Sequence, residues 1–226
     1  MSWVFDNIDL ILQLSVDHLR QSLIAVVIGV VLSLPLGWIA WRLRLLRAPI
    51  VIVTGLLYTI PSLALLILLP TVLGISAFNE VNLVITLAVY NVALLVRAVV
   101  DGLDAVDPEV RLAATAMGYG SGRRFFAVDL PLAAPVILAG LRVATASTIA
   151  LATVGILVGV SNLGYLFTNG LQRRIIPEVL AGIVAVVVIA IVLDLLLVLL
   201  GRLLLPWSRR AGRRRASRAA LKASVA

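Results

Sequence analysis

Two stretches of this chain, Gln21 to Trp41 and Ala48 to Asn79, contain no charged side chain at all. A helix needs about 20 mostly apolar residues to cross the hydrocarbon core of a membrane. Nothing narrows the possible folds more than these runs, because only structures that satisfy every backbone group internally survive in lipid. Gln21 to Trp41 is read as a first span. The second is expected near Pro49–Leu73, with Gly74-Ile75-Ser76 as the turn after it. A third is expected over about Val81 to Val100, a fourth from near Pro135 to near Val160, and a fifth over about Val179 to Leu205.

Composition agrees with that reading. Hydrophobic residues make up 62% and charged residues 13%, against about 45–50% and about 25% in soluble domains. Mean hydropathy is +1.14. Such a chain has too few charges to coat a soluble core. It has no cysteine and a single histidine, His18, so thiolate chemistry and histidine-cluster metal sites are excluded, and no cofactor is expected. The only lysine is Lys222, and no phosphate-binding loop of the G-x-x-x-x-G-K-[ST] kind is present. ATP hydrolysis by that route would belong to another chain.

The net charge of +8 has a topological explanation. Arg42, Arg44 and Arg47 follow the first span. Arg97, Arg111, Arg123, Arg124 and Arg142 lie in or beside the connection between the third and fourth. Arg202, Arg209, Arg210, Arg213, Arg214, Arg215, Arg218 and Lys222 end the chain. Only Arg20, Arg173 and Arg174 fall on the other side. Basic residues gather on the cytoplasmic face, so the N-terminus is expected outside and the C-terminus inside. The basic tail is then an inside anchor touching anionic lipid heads, and nucleic acid is not expected as a partner. Three segments follow: an interfacial leader over 1–18, a membrane domain over 19–207 and a basic cytoplasmic tail over 208–226. In the leader, Phe5, Ile8, Leu12 and Leu19 share one helical face beside Asp6, Asp9, Gln13 and Asp17, as in a short helix lying on a membrane surface.

The one substantial polar stretch between spans is Asp101 to Pro131. Asp107-Pro108-Glu109 is a helix start: an acceptor for orphan N–H groups, a proline at the first helical position and an acid at the positive dipole end. Val110, Ala113, Ala114 and Met117 share one face of that helix, and Gly118 stops it. Ser121 caps a second short helix that Leu130-Pro131 is expected to end. The small residues predict an exposed face that another protein approaches closely; a plain amphipathic connector is the alternative.

These residues resemble a known family. Permease subunits of binding-protein-dependent ABC importers carry E-A-A-x-x-x-G, nine residues, then I-x-L-P in this loop. Here the stretch is Leu112-Ala113-Ala114-Thr115-Ala116-Met117-Gly118, nine residues, then Val128-Asp129-Leu130-Pro131. Leu112 replaces the glutamate, and Glu109 stands one turn earlier. Tyr58-Thr59-Ile60-Pro61-Ser62-Leu63-Ala64 is similar to the Q-T-x-P-S-L-A stretch of the glycine betaine, carnitine and choline (osmoprotectant) permeases, with Tyr58 in place of glutamine. Pro135-Val136-Ile137-Leu138-Ala139-Gly140-Leu141-Arg142 also matches them.

The resemblance implies an all-α integral membrane protein with five spans of the type I (MetI-like) importer permease fold. It implies a multi-pass protein of the bacterial inner (cytoplasmic) membrane. Its partners would be two ABC ATPase subunits, a second permease of the same or a related chain, and an extracytoplasmic substrate-binding protein. The cargo would be an osmoprotectant such as glycine betaine, carnitine, choline or proline betaine. Methionine or another amino acid is the alternative within the same machine, and an ATP-independent secondary transporter is the alternative outside it. Glu109, Leu112, Ala113, Ala114, Met117, Gly118, Leu130 and Pro131 would couple the loop to the ATPase.

Polar residues inside spans are costly and often functional. Tyr58, Thr59 and Ser62, Tyr90 and Asn91, and Thr145, Ser147, Thr148 and Thr153 are candidates to line a path, with helix–helix packing as the competing role. Asp194 is the most expensive residue in the membrane, at about 2.5–3.5 kcal/mol for a mid-span acid. It is expected to pair with Arg142 or Arg97 as a structural lock.

Overall fold

The structure is a computed structural model and describes residues 2–207. Every regular element among them is helical. In chain order these are α1 (Ser2–Asp6), α2 (Ile8–Arg42), α3 (Arg44–Thr59), α4 (Ser62–Leu73), α5 (Glu80–Asp104), α6 (Pro108–Ala116) and α7 (Ser121–Arg124). A π-helical turn over Phe125–Asp129 leads into α8 (Leu130–Ala152), and a 3-10 turn over Thr153–Val158 leads to α9 (Gly164–Gln172) and α10 (Ile176–Leu204).

Four helical stretches are long and apolar enough to cross a membrane: 8–42, 80–104, 121–158 and 176–204. α3 and α4 pass the same test only as a pair, bent by 110° at a break, and counting that pair as one span gives five. The second span expected near Pro49–Leu73 is divided at Pro61, and proline explains the break. Pro61 has no N–H to give, and its ring drives the preceding residue out of the helical region. Ile60 accordingly has extended backbone at φ −67° and ψ 129°.

The long runs fold as helices for a simple reason. Without water, each N–H and C=O must be satisfied within its own segment. The core is a trio in which α5 lies between α2 and α8. Leu83, Leu87, Leu95, Val96, Val99 and Leu103 of α5 are buried. The α2 backbone comes close because glycines face α5. A Cβ on Gly29 would lie 2.3 Å from Asn91 Cβ, and one on Gly37 would lie 2.6 Å from Val99 Cβ. Small residues at such crossings are how membrane helices pack without a hydrophobic drive. These pairings run in register along α2 and α5, so the two helices are parallel. Arg47 with Asp104, Tyr90 with Ile60 and Asn82 with Leu66 place the broken α3–α4 alongside α5 in the opposite sense.

Two further expectations are corrected. The helix of the first span begins at Ile8 and continues through position 18 without interruption, so the leader is not a separate surface helix beyond Ser2–Asp6. At about 1.5 Å per residue α2 is about 52 Å long, well beyond the hydrocarbon core of about 30 Å. Leu130-Pro131 does not end a helix either. The N–H of Leu130 reaches the Phe125 carbonyl, one residue further back than in an α-helix, and this wide turn carries α7 into α8 without a stop. Proline is tolerated there because the widened turn has already displaced the α-type ladder. The basic tail, with Arg209, Arg210, Arg213, Arg214, Arg215, Arg218 and Lys222, lies outside the described residues.

Candidate functional site

The loop between α5 and α8 is built as its residues dictate. The Asp107 side chain accepts from the Glu109 N–H at 2.8 Å, and Pro108 stands at the first helical position. At the other end Gly118 has φ +83°. The Gly118 N–H donates to the Thr115 carbonyl at 3.0 Å and the Tyr119 N–H to the Ala114 carbonyl at 3.1 Å. That pair of bonds closes the helix with a left-handed residue, which glycine adopts without a Cβ penalty.

The faces of α6 are not as the sequence suggested. Leu112 and Met117 are 70% and 71% exposed, and Val110, Ala113, Ala116 and Glu109 are exposed too. Ala114 is 2% exposed and is the buried residue of α6. It was expected on the outward face. Alanines at adjacent positions point about 100° apart on a helix, and with Ala113 and Ala114 equally small, composition cannot tell the inward one. Leu130 and Pro131 are half-buried at the entry to α8, with Leu130 packed on the Leu103–Phe125 cluster, so they belong to the root of the loop rather than its tip.

Beneath α6 lies a set of charged residues that sequence reading did not single out. Asp129 is 1% exposed. Its Oδ1 accepts from Arg111 Nε at 3.0 Å and its Oδ2 from Arg124 Nε at 3.2 Å. Arg111 also donates to the Leu103 carbonyl, and its guanidinium sits 4.6 Å from the Trp41 ring centre. Arg124 donates to Thr115 Oγ1 at 3.0 Å. The one available signal was an acid in the otherwise apolar return segment, with basic residues on both neighbouring helices.

The polar residues of the spans separate into two groups. Tyr58 and Thr59 are exposed and Ser62 is half-buried, all at the α3–α4 break. The Tyr58 and Tyr90 rings meet edge to face at 5.8 Å, and the Tyr90 hydroxyl donates to the Ile60 carbonyl that the break leaves free. Asn91, Thr145 and Thr148 instead lie inside the helix trio, 1%, 4% and 2% exposed. Asn91 Nδ2 donates to Thr148 Oγ1 at 2.6 Å, and Thr148 Oγ1 to the Ala144 carbonyl at 2.8 Å. Path lining and helix packing were the competing roles; Asn91 and Thr148 bond α5 to α8, while the buried Thr145 hydroxyl makes no such bond among the described residues.

Arg142 grips Asp194 through two parallel bonds, Nε to Oδ1 at 2.6 Å and a terminal nitrogen to Oδ2 at 2.7 Å. Arg97 stands elsewhere, 3.9 Å from Asp101. The two paired side chains remain 42% and 37% exposed, so the pair lies on an outer face of α8 and α10. At the opposite end from the loop, Asn162 is fully buried. It donates to Gln21 Oε1 at 3.1 Å and to the Ala152 carbonyl at 2.7 Å, and accepts from the Gly164 N–H at 2.8 Å. His18, also fully buried, faces the Ile149 carbonyl at 3.0 Å, as a core histidine would.

Comparison with known proteins places this arrangement. The family profile described as "Binding-protein-dependent transport system inner membrane component" matches residues 19–210. The chain is 32% identical over 190 residues to the choline transport system permease protein OpuBB of Bacillus subtilis, covering 84% of this chain and 86% of that one. It is 30% identical over 183 residues to the osmoprotectant import permease protein OsmW of Salmonella typhimurium, covering 80% and 85%. Among solved structures, a chain of the MetNI methionine ABC transporter in an inward-facing conformation superposes with a TM-score of 0.77 at 19% identity, over 87% of this chain and 97% of that one. That likeness is one of fold.

Proposed function

This chain belongs to the binding-protein-dependent transport system inner membrane components, and from that we propose that it moves an osmoprotectant of the choline and betaine class into the cell. It is a multi-pass inner-membrane permease of an ABC importer, and the ATPase is a separate subunit. The family description itself requires an external binding protein.

The observation that carries the substrate class is the extent of similarity. Relatives named for choline and for osmoprotectants match this chain over more than four-fifths of its length and of theirs. The charge asymmetry supports an outside N-terminus and an inside C-terminus, with 1–18 as the lead-in and 208–226 as the cytoplasmic anchor. Two ATPases and a second permease, identical or related, complete the machine. Large exposed apolar side chains on a loop outside the hydrocarbon mark a protein contact. Leu112, Met117, Val110 and Ala113 therefore form the seat for the ATPase, with Gly118 fixing where α6 stops and Glu109 exposed at its start.

Tyr58, Thr59 and Ser62 at the helix break form the lining of the path, backed by Tyr90. A quaternary ammonium has no N–H to donate, so aromatic faces hold it better than salt bridges do. Purification with the neighbouring ATPase and binding protein tests this reading. Choline or glycine betaine should stimulate ATP hydrolysis. Stimulation by methionine and not by quaternary ammonium compounds would move the substrate to the amino-acid class.

A further inference from the structure

Asp129 and its two arginines close a ring. Asp129 binds Arg111 and Arg124, Arg124 binds Thr115, and the Thr115 hydroxyl donates to the Arg111 carbonyl at 2.9 Å. The ring has two outward ties: Arg111 donates to the Leu103 carbonyl at the end of α5 and lies over Trp41 at the end of α2. Five elements therefore meet at one carboxylate: α6, α7, the π turn that begins α8, α5 and α2. Little else holds α6 down, since Ala114 is its buried residue.

The chemistry makes this a stiff joint. Both carboxylate oxygens are used, each by a charged donor, and the site is closed to water at 1% exposure. Charge-assisted bonds of this kind are short and directional. Removing Asp129 leaves two largely buried guanidinium groups without their shared acceptor, and breaking a buried pair in that way is strongly unfavourable. A push on α6 cannot be absorbed by sliding over an apolar surface. It passes through Asp129 into α8 and through Arg111 into α5.

We infer that Asp129 is a positioning residue of the transport cycle. Clamped by Arg111 and Arg124, it makes the loop helix and the roots of α5 and α8 move as one body, so that displacement by the ATPase reaches the membrane. The inference rests on the permease reading above. It differs from a role in folding alone by predicting a loss of coupling rather than a loss of protein.

The test uses the full importer in proteoliposomes, reading solute taken up per ATP hydrolysed, and a spin label on Ala116→Cys. The chain has no other cysteine, and Ala116 is exposed. In Asp129→Asn, ATP hydrolysis continues while uptake per ATP falls about tenfold, and the label becomes more mobile. Asp129→Glu recovers part of the ratio. Should Asp129→Asn fail to assemble, Arg124→Gln removes one arm and leaves a neutral Asp129–Arg111 pair; its ratio should also fall, by less. A wild-type ratio in either assembled variant, with only thermal stability lowered, overturns the inference. So does unchanged label mobility in Asp129→Asn. Absence of ATP-linked uptake by the wild type would instead refute the permease reading, while the label in detergent still reports on the ring.

Discussion

Residues 113 and 114 give the sharpest contrast at the scale of single side chains. Ala114 is buried and Ala113 is not. Ala114→Leu overpacks the underside of α6 and should cost about 1–3 kcal/mol, seen as a lower melting temperature of the purified permease even without partners. Ala113→Leu should leave that melting temperature within about 0.5 kcal/mol of wild type, as surface substitutions do, and weaken binding to the ATPase. Equal effects of the two on the lone permease would contradict the placement of α6. Gly118 behaves differently again. At φ +83° a side chain is strained by about 1–2 kcal/mol, so Gly118→Val should fray the end of α6 and reduce transport without preventing membrane insertion, checked by membrane yield against uptake. Asp194 and Arg142 form a third case. Asp194→Asn should lower the yield of folded permease, and exchanging the two charges, Asp194→Arg with Arg142→Asp, should restore it. Loss of transport with full yield in Asp194→Asn would contradict a structural role.

Helices were largely readable before they were seen, and the reasons are local. Spans follow from uncharged length, and the start and stop of α6 follow from Asp107-Pro108-Glu109 and Gly118, whose capping bonds lie within a few residues of chain. What could not be read depends on how distant segments meet. Pro61 signals the break, but not that the freed Ile60 carbonyl is received by Tyr90 of α5 or that the two helices turn by 110°. Asn91 and Thr148 look like candidates for a path because polar side chains in a span have two uses, and only the approach of α8 to α5 decides between them. Asp129 is invisible as a site because its two partners come from other elements, α6 and α7. The α3–α4 break has its own test. Tyr90→Phe removes the bond to the Ile60 carbonyl, at a cost of about 0.5–1.5 kcal/mol, and Pro61→Ala lets α3 and α4 approach one continuous helix. Distances between spin labels on Val53 and Leu68 should lengthen in Pro61→Ala; an unchanged distance would show that the bend is imposed by packing and not by proline.

For the whole molecule, charge and fold now explain one another. Parallel α2 and α5, with the broken pair and α8 running the other way, bring the ends that carry Arg42, Arg44, Arg47 and Arg111 to one side together with the loop. With the orientation proposed above, the +8 charge would be an inside-facing bias. Cysteines placed singly at Asn7 and Ser217 should be labelled from opposite sides of the membrane; labelling from the same side would overturn the topology. The exposed apolar face of α10 fits a helix that works against an apolar surrounding.

The central claim is that this chain is the passive, membrane-spanning part of an ATP-driven osmoprotectant importer. Its most direct test is uptake of radiolabelled choline or glycine betaine into proteoliposomes holding the permease with its ATPase and binding protein. Uptake that requires ATP and the binding protein, and that unlabelled quaternary ammonium compounds block while methionine does not, is the predicted result. Uptake by the permease alone, driven by an ion gradient without the ATPase, would contradict it.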